Sequence, residues 1–115
     1  MKKTSINIVN VIGTRLCTEP EDGQKVFELI KKALQEKHKV EISFMNVEIL
    51  TTAFLNAAIG QLYKDFKEEE IRKYIAVENL SPSGEASLRR VVNTAKLYYR
   101  DPGAMERSIN EILGE

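Results

Sequence analysis

One cysteine and one histidine are the only thiol and imidazole ligands this 115-residue chain offers, and it has no tryptophan. Cys17 alone can form no intramolecular disulfide, and with His38 it makes no recognisable metal cluster. Charge of either sign is not in excess: 17 Lys and Arg balance 17 Asp and Glu. No global field therefore steers the chain toward nucleic acid or anionic lipid. Long apolar runs are missing too, and none approaches the ~20 residues that cross a bilayer. Two lysines precede the apolar stretch of MKKTSINIVNVIG, but Ser5, Asn7 and Asn10 interrupt it and no small-residue cleavage site follows. No membrane association is expected, and the expected compartment is the cytoplasm. The G-x-S-x-G elbow, the P-loop and the G-x-G-x-x-G fingerprint are all absent from the sequence. Enzyme activity is thus the least supported class, and no cofactor or metal is expected.

What is present is an ordinary globular balance, 43% hydrophobic and 30% charged, and residues 1–115 read as one domain. Ile6, Ile8, Val9, Val11 and Ile12 make a β-branched run ending at Gly13, the expected first strand. Thr18 and Glu21 have the spacing of a capping box, although Pro20 makes Glu19 an alternative boundary. Val26, Phe27, Ile30, Ala33 and Leu34 then recur at helical spacing. Val40, Ile42 and Phe44 mark a second strand, and Tyr74 to Val77 a third. Between these strands Phe54, Leu55, Ala58, Ile59, Leu62, Tyr63 and Phe66 form a broad apolar helical face, thinned by Ala57 and Gly60. Ser81-Pro82 and Asp101-Pro102 each pair a cap with a first-turn proline. They predict a helix through Ala86, Leu88, Val91, Val92, Ala95 and Tyr98, and a short terminal one through Met105, Ile109, Ile112 and Leu113. Strands alternating with helices predict an α/β sandwich, its sheet of three to four strands at least partly parallel and packed by about four helices.

The segment VEISFMNVEILTTAFLNAAIGQLY, from Val40 to Tyr63, is the most informative. A strand leads through a small loop to Thr51-Thr52, which open a helix. Paired hydroxyls at that place serve either as helix caps or as a phosphorylation target, and the residues alone leave both open.

With these residues in view, the chain resembles the STAS domain of anti-sigma factor antagonists, and more closely a STAS-like family of unassigned function. The resemblance runs from about Ser5 to Leu97. It is carried by Asn10 to Cys17 (NVIGTRLC), the strand Val40 to Phe44, the loop and helix Asn46 to Leu62, and the strand Tyr74 to Leu80. Antagonists of this kind read Asp, Ser, Ser or Thr, and Gly before an apolar helix. Here Thr51 falls on the acidic position, Thr52 on the first hydroxyl, Ala53 on the second and Phe54 on the glycine. The resemblance implies a regulatory protein–protein interaction module whose partner is an anti-sigma protein or histidine-kinase-like ATPase. Thr52, with Thr51 as substitute, would be the phosphorylated residue. The partner surface would comprise Arg15, Asn46, Glu48, Thr51, Thr52 and Asn56. Two other readings share the fold: a constitutive scaffold in which both threonines only cap, and a small-molecule or nucleotide binder using the helix N-terminus.

The remaining polar residues have plain readings. Glu41 and Ser43 alternate with apolar positions on the second strand, which suits either an edge strand or a hydrogen bond from Ser43 to a neighbour. Cys17 reads as a small buried hydrophobe, and His38 as a cation at a helix C-terminus. Arg89, Arg90, Lys96 and Arg100 with Tyr98 and Tyr99 form the one basic-aromatic cluster, of which Arg89, Lys96 and Arg100 share a helical face. Glu85 and the zero net charge weigh against a nucleic-acid binder.

Overall fold

The computed structural model describes residues 2–100, the last of them by its backbone alone. The Ile6–Ile12 run expected as one strand divides at Asn7, into β1 (Lys3–Asn7) and the short helix α1 (Ile8–Ile12). The cause is local. The Asn7 side-chain oxygen accepts the Asn10 N–H at 3.0 Å and caps the helix. Gly13 closes it at φ 76°, a left-handed conformation that glycine adopts without cost, with its N–H on the Val9 carbonyl. β2 (Leu16–Cys17) follows, then α2 (Pro20–Gln35). Glu19 holds the cap position of α2 without a side-chain hydrogen bond, so the expected capping box at Thr18 is not used and Pro20 marks the start.

β3 (Lys39–Ser43) and β4 (Ile49–Leu50) lead to α3 (Thr52–Leu55). A π-helical turn, Asn56–Gly60, joins α3 to α4 (Leu62–Asp65), so residues 52–65 form one helical course. The Gln61 N–H reaches back to the Asn56 carbonyl at 3.1 Å, one residue further than an α-helix allows. The charged stretch after Lys64 contains a helix the sequence did not announce, α5 (Glu68–Tyr74), with three glutamates in its first turn and Arg72 and Lys73 in its last. β5 (Ile75–Glu78) and α6 (Pro82–Arg100) complete the described chain. The terminal helix expected through Met105 and Ile109, and the side chain of Arg100, lie outside the described residues.

β1, β3 and β5 form a three-stranded sheet in that order, every pair parallel; β2 and β4 form a separate parallel pair. The antiparallel pairs that the expected mixed sheet allowed for do not occur among the described residues. Alternation sends Ile6, Val40 and Ile42 to one face, where they join Val26, Phe27, Ile30, Phe54, Leu55, Ala58 and Leu62 in the core. Each of the Ile, Val, Leu and Phe side chains among them contributes roughly 1.5–3 kcal/mol when fully buried. Rows of Ser5, Glu41 and Ala76, then Asn7, Ser43 and Glu78, occupy the other face and are exposed or half-buried. Parallel sheets are usually covered on both faces; here the polar face is open. That resolves Glu41 and Ser43, which lie on the central strand and not at an edge. Glu41 pairs with Lys3 at 3.2 Å, and Ser43 Oγ accepts the Asn79 amide at 2.9 Å.

The tightest helix contact sets the place of residues 52–65. A Cβ at Gly23 of α2 would lie 2.6 Å from the Phe54 carbonyl oxygen and 2.8 Å from the Ala57 methyl. Only a hydrogen fits there. Gln61 bonds Gln24 at 2.7 Å across the same seam.

Candidate functional site

The corner that carries Thr51 is built by the β2–β4 pair, in which Leu16 stands opposite Ile49 and Cys17 opposite Leu50. Backbone bonds extend it on both sides. The Glu48 N–H reaches the Arg15 carbonyl at 2.9 Å, and the Thr51 N–H reaches the Cys17 carbonyl at 3.0 Å. Thr51 then turns the chain from strand to helix. Its hydroxyl accepts the Phe54 N–H at 3.2 Å, a helix cap, and lies 3.3 and 3.4 Å from the Thr18 and Cys17 carbonyls, to which it donates. Both roles of this hydroxyl are filled.

Thr52 differs in every respect. It is the first helical residue, it is exposed, and its hydroxyl has no hydrogen-bond partner among the described residues. Asn56, four residues on, is also exposed and stands on the same helical face. Arg15 and Glu48 face each other as an open ion pair at 3.6 Å, both more than half exposed. Such a pair holds its partners weakly, so both charges stay available. Asn46 sits at φ 66° in the turn after β3, where the Val47 N–H bonds the Phe44 carbonyl. Asparagine tolerates that left-handed conformation better than most residues.

Asn46 and Glu48 also line a cavity of about 210 Å³ whose far wall is Asn79, Ser81, Ser83 and Ser87 at the start of α6. Sequence reading identified Ser81 as a cap, and its Oγ indeed accepts the Gly84 N–H at 3.0 Å. It missed Asn79, Ser83 and Ser87, although an asparagine just after a strand and two serines one helical turn apart were the available signal. The six residues expected to form the partner surface thus fall into two strips. Arg15, Glu48 and Asn46 follow the rim of the β2–β4 pair, while Thr52 and Asn56 follow the helix; Thr51 is the hinge between them. A larger cavity, about 470 Å³, lies away from this corner, beside α5 and α6. There Glu68 is shared between Arg72 and Lys96, each at 2.7 Å.

Residues 22–85 match the family model described as a STAS-like domain of unknown function, which is more than half of the chain and includes Thr51 and Thr52. The chain belongs to this STAS-like family. No curated protein and no solved structure matches it.

The rest of the STAS-like domain accounts for the other singled-out residues. Cys17 is fully buried, and that burial, with Asp22 nearby, pushes its thiol up from 9.0 to about 11. A thiol so held is overwhelmingly protonated at neutral pH and unreactive. His38 is tied to β1, with its Nδ1 3.0 Å from Thr4 Oγ1, and its backbone N–H caps the Ala33 carbonyl at the end of α2. Of the basic-aromatic cluster, Lys96 is taken up by Glu68, Arg89 and Arg90 are exposed, and Tyr98 and Tyr99 meet edge-to-face at 5.0 Å. Among the described residues no group of three His, Cys, Asp or Glu is placed to hold a metal, and no helix is long and apolar enough to cross a membrane.

Proposed function

We propose that this STAS-like domain is a non-enzymatic regulatory module that docks on a protein partner and is released by phosphorylation of Thr52. The observation that carries the reading is the division between two adjacent hydroxyls. Thr51 is hydrogen-bonded into the corner, and that corner presents Thr52, exposed and with its hydroxyl unbonded among the described residues, at the first turn of a helix anchored on α2. Phosphate on Thr52 would add about −1.5 to −2 charges. The amino-terminal end of the 52–65 helical course tolerates that charge, so the effect falls on the partner and leaves the fold in place. Arg15, Glu48, Asn46 and Asn56 supply the adjoining contact surface. By the resemblance to anti-sigma factor antagonists, the partner is an anti-sigma protein or a histidine-kinase-like ATPase, which would also deliver the phosphate.

The scaffold reading, in which both threonines are caps, is met by Thr51 alone. Binding of the partner to Thr52→Glu and Thr52→Ala separates the two readings. The switch requires the glutamate variant to bind several-fold or more weakly and the alanine variant to bind as wild type. Equal affinity for both leaves a constitutive scaffold.

A further inference from the structure

β1 is an edge strand, and its outer edge opens onto a groove. The Lys39 N–H bonds the Lys2 carbonyl at 2.8 Å, which fixes the phase of the ladder: the backbone groups of Lys2 and Thr4 face β3, and those of Lys3 and Ser5 face outward. No strand pairs with them among the described residues. Thr4, Ser5 and Ile6 all line a cavity of about 320 Å³. Three successive residues of a strand, whose side chains alternate between faces, line one cavity only where it runs along the strand edge. Its other wall is α2. Val11, Leu29 and Ala33 give it an apolar floor, and Leu29 is 42% exposed, unusual for a leucine on a core-packing helix.

We infer that this groove receives an extended peptide segment of a partner protein, which adds to the sheet as a fourth strand beside β1. Outward amides and carbonyls of Lys3 and Ser5 supply main-chain bonds, and alternate apolar side chains of the segment drop against Leu29 and Val11. Charge selects the occupant. Lys32 rims the groove, and Lys2, Lys37 and Lys39 are exposed at the amino-terminal end of β1 and β3. Among the described residues none of these four lysines has an ion-pair partner. The one carboxylate on the rim, Glu36, faces His38 at 3.6 Å. An acidic segment therefore fits. A second copy does not: antiparallel pairing about Ser5 would bring the two Lys32 side chains toward each other, and lysines on an edge oppose edge-to-edge association. This surface lies on the β1 side of α2, distinct from the Thr52 corner, and does not depend on the switch.

The test is selection of phage-displayed random heptapeptides on the full chain, followed by hydrogen exchange and affinity measurement with the recovered peptides. The expected peptides alternate apolar residues, carry Asp or Glu, and slow exchange at the Lys3 and Ser5 amides. Ser5→Pro removes an outward N–H that the native ladder does not use, a change an edge strand tolerates, and should weaken binding tenfold or more. Leu29→Asp, on an exposed position, should do the same if the proline variant does not fold. Lys32→Glu should weaken acidic peptides, and Thr52→Glu should leave them unaffected. Recovery of no peptide family, peptides without acidic residues, or equal binding to Ser5→Pro and Leu29→Asp would overturn the inference. So would protection of the Ser5 amide that rises with the concentration of the chain alone, which would assign the edge to a second copy.

Discussion

The corner around Cys17 and Thr51 and the outer edge of β1 treat the same chemical groups in opposite ways. At the corner a two-residue strand pair, a buried thiol and a doubly bonded threonine hydroxyl leave almost nothing unsatisfied. Along β1, backbone groups, an exposed leucine and four lysines have no partner within the described chain. The difference separates groups that hold the fold from groups presented to others. Thr51 and Thr52 repeat the division at the scale of one peptide bond.

If that division is right, the tied region should lose stability when altered and the presented residues should not. The largest effect is expected at Gly23, where alanine has no room against the Phe54 carbonyl. Gly23→Ala should cost about 3 kcal/mol, the upper range of overpacking, measured by urea denaturation; an unchanged midpoint would mean the α2 seam is loose. Cys17 comes next. Its thiol is raised from 9.0 to about 11, so between those values the unfolded chain releases a proton that the native state keeps. The stability contributed by the neutral thiol is complete below pH 9 and is lost as pH climbs toward 11, on the order of 2–3 kcal/mol. Tyr63, raised by burial and by Glu68, adds a loss of the same sign at higher pH. The comparison of wild type with Cys17→Ala at pH 8 and 10.5 isolates the thiol, and the variant should show the smaller decline.

Thr51→Ala should cost about 1 kcal/mol through loss of the cap, with somewhat more from the Thr18 carbonyl, which loses the hydroxyl, while the Cys17 carbonyl keeps the Thr51 N–H. The smallest effect belongs to Thr52→Ala, within about 0.5 kcal/mol, as for an exposed side chain with no hydrogen-bond partner among the described residues. Equal melting temperatures for the two alanine variants would erase the contrast on which the functional reading stands.

Much of this arrangement was legible in the sequence. Ser81-Pro82 and Thr51-Thr52 after a strand each combined cap chemistry with apolar periodicity, the spacing from Val26 to Leu34 offered periodicity without the expected cap, and each opened or formed the element expected. The run from Ile6 to Ile12 misled because its β-branched residues favour a strand, and Ile8–Ile12 are helical against that preference. What divides it is one hydrogen bond from the Asn10 N–H to the Asn7 side-chain oxygen, a local choice that composition does not reveal. α5 was hidden for a different reason: of its seven residues only Ile71 is buried and five are charged, so no periodic stripe announced it. At the site, the sequence pointed to both threonines but could not rank them. That ranking depends on the Cys17 and Thr18 carbonyls, more than thirty residues away in the chain. The β1 groove was equally out of reach, since it exists only where a strand edge and the Leu29 face of α2 come together.

The central claim is that the corner reserves Thr51 for the fold and presents Thr52 for modification. Site-resolved phosphopeptide mapping, after the chain is incubated with the proposed histidine-kinase-like ATPase and ATP under conditions where the complex forms, tests it most directly. The account predicts phosphate on Thr52 and none on Thr51. Phosphate on Thr51, or none on either residue, would contradict it.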